Sequence, residues 1–134
     1  MSGNIVLPNE SEFETIRAIA QDGRDKPVLM LNLNRYTADA GFPDGDNYLE
    51  YMSVLEDLLP RVGAKILWHS PVFGQPVGEQ PIDEILAAWY PTHQAFVELP
   101  DAPGADENFR LRRMCVEYAV IHRCLGDRTP LSGT

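Results

Sequence analysis

The sequence predicts one α+β domain built on a single antiparallel sheet, with an extra helix at its N-terminus. Three observations predict it. Residues 27–36 alternate between two unlike faces, as a strand does. Residues 47–62 carry one wide apolar stripe at helical spacing. Beyond the first helix, strand and helix patterns follow one another in the order β-α-β-β-α-β. The chain has 134 residues, enough for one core.

The first element is a helix over residues 11–21. Asn9 can cap it, and Glu12 stands where a capping box needs it. Phe13, Ile16, Ile19 and Ala20 share one face, and Gly23 ends the helix. The strand over 27–36 places Leu29, Leu31 and Leu33 on one side. Val28, Met30, Asn32, Asn34 and Tyr36 lie on the other, which turns polar along its length and suits a lined cavity. Residues 37–46 hold three aspartates, two glycines and a proline, so they form a loop, with Asp46 capping the next helix. Their D-G-D-N run resembles a calcium loop, but the position that needs a bidentate carboxylate holds Leu55.

In the helix over 47–62, Tyr48, Tyr51, Met52, Leu55, Leu58, Leu59 and Val62 form the apolar face. Pro60 bends or ends its last turn, and Gly63 stops it. Strands over 64–73 and 82–90 follow, joined by a Pro- and Gly-rich turn. Thr92 caps a short helix that residues 100–104 break, with His93 expected at the surface. A second helical piece covers 106–114, the last strand 115–125, and residues 126–134 read as a disordered tail. The domain is therefore 27–125, after an N-terminal helical extension over 1–26.

Net charge is −9, which disfavours a sequence-independent nucleic-acid binder or an anionic membrane surface as partner. Arg110, Arg112 and Arg113 read as a helix flank balancing Asp106 and Glu107. No stretch is long and apolar enough to span a membrane, and the first residues lack a secretory pattern, so a cytoplasmic location is expected. Two cysteines, Cys115 and Cys124, read as reduced core residues.

The element order is the ferredoxin-like signature, with both helices on one side of the sheet. Leu67, Ala87, Trp89, Val28 and Met30 make the uncovered side too apolar for water. Pairing with a second copy solves this, and two facing sheets close a barrel. The partners expected are therefore the chain itself and a small organic molecule.

Several residue groups carry a resemblance. They are Met30-Leu31-Asn32-Leu33, Tyr48-x-x-Tyr51, Leu59-Pro60 before Gly63, and Trp89-Tyr90-Pro91-Thr92. In this order the chain resembles a small, uncharacterised bacterial family of the dimeric α/β-barrel superfamily, over residues 27–124. The resemblance implies a homodimer with one cavity per subunit, between sheet and helices or inside the barrel. It implies no reaction, since so widely reused a fold serves many chemistries. The family often has Gly-Gly where this chain has Gly63-Ala64, and a glutamate where it has Trp89.

Asn32 and Asn34 lead the candidate ligand contacts, because a concave apolar pocket commonly holds a few convergent polar groups. The alternative is that they bond backbone or the dimer seam. Tyr36, Tyr48 and Tyr51 can supply hydroxyls, and Trp68 and Trp89 can stack on a flat ligand; all five also suit a core. His69 and His122 lie on strands, able to meet across the barrel, and either suits a base near neutral pH. Either Asp83 or Glu84 must face inward; Glu84 is a candidate base unless Arg35 or Arg123 pairs with it. The histidines show no metal-ligand spacing, and no nucleotide or serine-hydrolase motif is present, so neither metal nor cofactor is expected. The function expected is binding of an apolar or aromatic compound, or cofactor-free chemistry on one. The alternative is a non-catalytic homodimeric carrier or regulatory domain.

Overall fold

The computed structural model describes residues 8–128, the side chain of Arg128 excepted. Helix α1 (Glu10–Ala20) opens the fold, with the Asn9 side chain accepting from the Glu12 N–H at 3.3 Å. That bond satisfies one of the donors a helix start leaves unpaired. Strand β1 (Val28–Tyr36), helix α2 (Asp46–Leu58) and strands β2 (Lys65–Pro71) and β3 (Glu84–Tyr90) follow. Helices α3 (His93–Glu98) and α4 (Ala105–Cys115) and strand β4 (Val116–Leu125) complete the order.

Helix ends follow local chemistry. Gly45, not Asp46, is the N-cap of α2; Asp46 is its first residue, where the helix dipole favours a carboxylate. Pro60 has no N–H to donate, and α2 tightens into a 3₁₀ turn over Leu59–Val62 that ends at Gly63, with φ of 80°. The Thr92 hydroxyl accepts from the Ala95 N–H at 3.0 Å and starts α3. The start of the expected tail is ordered. Gly126–Arg128 is a 3₁₀ turn rather than disordered tail, with the Gly126 N–H donating to the Pro27 carbonyl. Residues 129–134, the rest of that tail, lie outside the described residues.

The four strands form one antiparallel sheet in the order β2-β3-β1-β4, an arrangement close to the ferredoxin-like one. Val28, Met30 and Tyr36 from β1 join Leu86, Ala88 and Tyr90 from β3 in one core with Ile16, Tyr48, Tyr51, Leu59, Ala95 and Leu111 from the helical side. Val28 and Met30 therefore face the helices, against the expectation that they line the uncovered side. That side instead carries Leu29, Leu31 and Leu33, and by register Ala87, Trp89, Val120 and His122. The expectation of an apolar uncovered side holds, with its leucine stripe and valine stripe exchanged. Alternation alone gives two faces without saying which one the helices will cover.

Among the described residues, no helix is long and apolar enough to cross a membrane. Cys115 is buried, Cys124 is half-buried, and both are free thiols.

Candidate functional site

Two polar constellations lie on the helical side of the sheet. The first centres on Glu84, the first residue of β3, which is 1% exposed. Tyr36 and Tyr48 donate their hydroxyls to its two carboxylate oxygens at 2.5 and 2.6 Å. His69 Nδ1 lies 2.7 Å from Oε2. With the carboxylate oxygen as acceptor, Nδ1 is the donor of this contact and Nε2 is left as the ring's second nitrogen. Phe42 packs against both tyrosine rings, at centroid distances of 5.0 and 4.9 Å. Burial, with the bond each makes to Glu84 adding to it, pushes the Tyr36 and Tyr48 phenols far above the ordinary range.

Neither arginine proposed as a partner for Glu84 reaches it. Arg35 pairs with Glu117 at 3.1 Å and Arg123 with Glu12 at 2.5 Å. Asp83 is the outward neighbour, accepting from the Tyr36 backbone N–H at 2.8 Å. Asn34 Nδ2 makes one long bond, 3.5 Å, to the Tyr36 hydroxyl, and its buried Oδ1 has no partner among the described residues.

The second constellation is a cavity of about 570 Å³ between the sheet and all four helices. Met30 and Asn32 from β1 and Leu86, Ala88 and Tyr90 from β3 form its floor. Phe13 and Ile16 of α1, Leu55 of α2, Phe96 of α3 and Phe109 of α4 contribute apolar walls. Polar groups enter at a few points: Asn32, Tyr51, Asn108, Arg112, the Arg123–Glu12 pair, and Asn9 and Arg17 at the rim. The volume lies in the range of small-molecule pockets, and so does the lining of mostly apolar groups with few polar ones.

The sequence candidates divide by strand face. Asn32 and Tyr51 line the cavity. Asn34, Tyr36, Tyr48, His69 and Glu84 form the carboxylate cluster, which meets the cavity wall where the Tyr36 and Tyr51 rings approach to 6.4 Å. Asn32 Nδ2 also donates to the Met30 carbonyl at 3.0 Å, the backbone bond offered as its alternative. Trp68, Trp89 and His122 lie on the uncovered side. Trp89 stacks under Lys65 and donates to the Gly126 carbonyl at 3.2 Å, so its ring is engaged structurally. His69 and His122 occupy opposite faces and do not meet within the chain. A register shift between Ile66 and Trp68 in β2 decides this, because it turns His69 toward Glu84.

His93 is 5% exposed, contrary to the surface position expected. Its Nδ1 lies 2.9 Å from Asp25 Oδ1, and Asp25 also accepts from the backbone N–H groups of His93 and Gln94. Burial opposes ionisation of Asp25, but these donors outweigh it and hold the carboxyl below its usual range.

Sequence reasoning missed Asn108 and the role of Arg112. Arg110 does balance Glu107, at 2.7 Å, but Arg112 turns inward and donates to the Tyr51 hydroxyl at 3.3 Å. The available signal was Asn108 itself. It lies on the same stripe of α4 as Ala105, Leu111 and Cys115, where an amide interrupts a buried face.

No family model and no curated protein sequence matches the chain. The chain is similar to RPA0582, a protein of unknown function from Rhodopseudomonas palustris and a structural genomics target. Their identity is 28% and the TM-score 0.74, over 96% of this chain and all of that one. A crystal structure of methylated RPA0582 matches with the same identity and TM-score over the whole of both chains. The fold is thus shared with a bacterial protein whose own function is not known.

Proposed function

We propose that this chain is a cytoplasmic, homodimeric α/β-barrel protein that binds a small apolar or aromatic compound between its sheet and helices. The observation that carries this reading is the cavity of about 570 Å³, walled by aliphatic and aromatic side chains and entered by few polar groups. The pocket is a half-open recess rather than a sealed void in the core, so a small molecule can enter it from solvent. The apolar uncovered side of the sheet supports the homodimer, since leucines, tryptophans and Val120 there find cover most simply on an identical face.

The neutral probe N-phenyl-1-naphthylamine, which fluoresces when shielded from water, tests the cavity. Wild type should bind it at micromolar concentration. Ala88→Phe, which fills the floor from β3, should weaken binding about tenfold or more. No binding, or equal binding by the filled variant with its helical circular dichroism intact, would refute the reading.

One feature favours a second reading, a cofactor-free enzyme. A buried carboxylate behind Nδ1 fixes the His69 tautomer and leaves Nε2 able to take a proton. If turnover of any compound is found, His69→Gln should abolish it while leaving probe binding intact. Retained turnover would remove His69 from the chemistry.

A further inference from the structure

The lining of the cavity has the wrong sign for this protein. The chain carries a net charge of −9, yet three arginines, Arg17, Arg112 and Arg123, line the cavity against one carboxylate, Glu12. Glu12 is engaged by Arg123, through Nε at 2.5 Å and Nη2 at 3.3 Å. That bond holds the Glu12 carboxyl below its ordinary range. Arg123 Nη1 also lies 3.4 Å from His93 Nε2. Arg17 sits at the exposed rim on α1. Arg112 is half-buried, and among the described residues no carboxylate lies within ion-pair distance of it.

Beside Arg112 stands a donor without an acceptor. Asn108 precedes it by one helical turn on α4, so both side chains occupy the same face. Asn108 is 5% exposed, and its Nδ2 has no hydrogen-bond partner among the described residues. Buried donors are nearly always paired, because an unpaired one forfeits its bonds to water. The third group is Tyr51, whose hydroxyl accepts from Arg112 Nη1 at 3.3 Å and keeps its own proton to donate. The Arg112 guanidinium and the Tyr51 hydroxyl thus meet in the cavity wall, with the Asn108 amide one turn away on the same helix, and among the described residues no carboxylate joins them.

We propose that the cavity takes an amphipathic organic anion. Its carboxylate, or a comparable acid group, is held by Arg112 and the Tyr51 hydroxyl, and the unpaired Asn108 amide gains an acceptor by turning toward it. Its apolar body lies among Leu55, Leu86, Phe96 and Phe109. The inference rests on the cavity reading above and adds the ligand's charge and orientation. A planar guanidinium beside a phenol O–H matches the acceptor geometry of a carboxylate, and the mostly apolar walls strengthen that attraction.

The test uses two probes with one skeleton, 1-pyrenebutyrate and 1-pyrenebutanol, titrated into the full-length protein by fluorescence at neutral pH. Wild type should bind the acid at least tenfold more tightly than the alcohol. Arg112→Met should bring the two within about threefold of each other by weakening the acid alone, and Asn108→Leu should narrow the gap less. Arg112→Lys should restore part of the preference, which separates lost charge from lost fold. Raising salt from 0.05 to 0.5 M (about a threefold shorter Debye length) should weaken the acid and leave the alcohol unchanged. Equal binding of acid and alcohol by wild type would overturn the anion site and leave the apolar cavity standing. Equal loss of both probes in Arg112→Met and Arg112→Lys would also overturn it. Failure of both probes to bind wild type would overturn both readings, leaving a cavity filled by water.

Discussion

Replacing Glu84 by Leu should destabilise the fold more than other single changes around the cavity. In the native state its carboxylate takes three short hydrogen bonds, from Tyr36, Tyr48 and His69, at 2.5, 2.6 and 2.7 Å. Leucine leaves two buried phenol hydroxyls without an acceptor, each costing about 1–3 kcal/mol; the half-exposed His69 can turn to water. Removing the carboxylate also removes the desolvation cost of a buried charge, which offsets part of this loss. The net is about 2–5 kcal/mol, a large fraction of the roughly 5–15 kcal/mol that holds a domain together. Glu84→Gln keeps the shape and one acceptor oxygen, and should cost about 1–2 kcal/mol.

Urea denaturation followed by tryptophan fluorescence measures both variants. With a slope of about 1–3 kcal/mol per molar, the leucine variant's midpoint should fall by at least ~0.7 M. Tyr48→Phe made in the leucine background should cost less than in wild type, because the lost partner is shared. A leucine variant within 0.5 kcal/mol of wild type (about the effect of an ordinary surface change) would refute the reasoning. It would show that the buried carboxylate is kept for something other than stability.

Three further outcomes are expected. Burial, aided for Tyr36 and Tyr48 by the bonds to Glu84, raises the Tyr36, Tyr48 and Tyr90 phenols above their unfolded values. Stability they contribute is therefore complete below about pH 10 and lost as pH climbs toward the folded values, so alkaline titration at 295 nm should show these three ionising only on unfolding. Asp25→Ala removes the carboxylate that caps the first N–H groups of α3 and should lower stability by about 1–2 kcal/mol in thermal melts. Leu31→Glu, which places a charge on the uncovered side of the sheet, should convert a dimer into a species of 15.0 kDa in sedimentation; a wild type that already sediments at that mass would end the barrel proposal.

The local elements were legible because their causes are local. Asn9 and Thr92 announce helix starts through a side-chain oxygen, and Gly63 announces a stop by tolerating positive φ. Asp46 shows the limit, since a capping residue type one position too late looks the same in sequence. The alternation of β1 identified Asn32, Asn34 and Tyr36 as one face, and that face does meet the cavity and the carboxylate cluster. Glu84 was visible as a carboxylate in a strand, but its companions were not. Tyr36, Tyr48 and His69 stand 48, 36 and 15 positions away from it, and nothing in the spacing ties them together.

By itself the sequence determined the order of strands and helices, their boundaries to within a residue or two except at the end of α2, and the two-faced character of β1. These depend on backbone propensity, capping and periodicity, which act over a few residues. Only the tertiary structure decided which face of the sheet the helices cover, which histidine meets Glu84, and that Arg112 and Asn108 turn inward beside Tyr51. Those outcomes depend on sheet register, on one irregularity in β2, and on how α4 packs against α2. Such contacts join residues far apart in the chain, and their energies exist only once the core has closed.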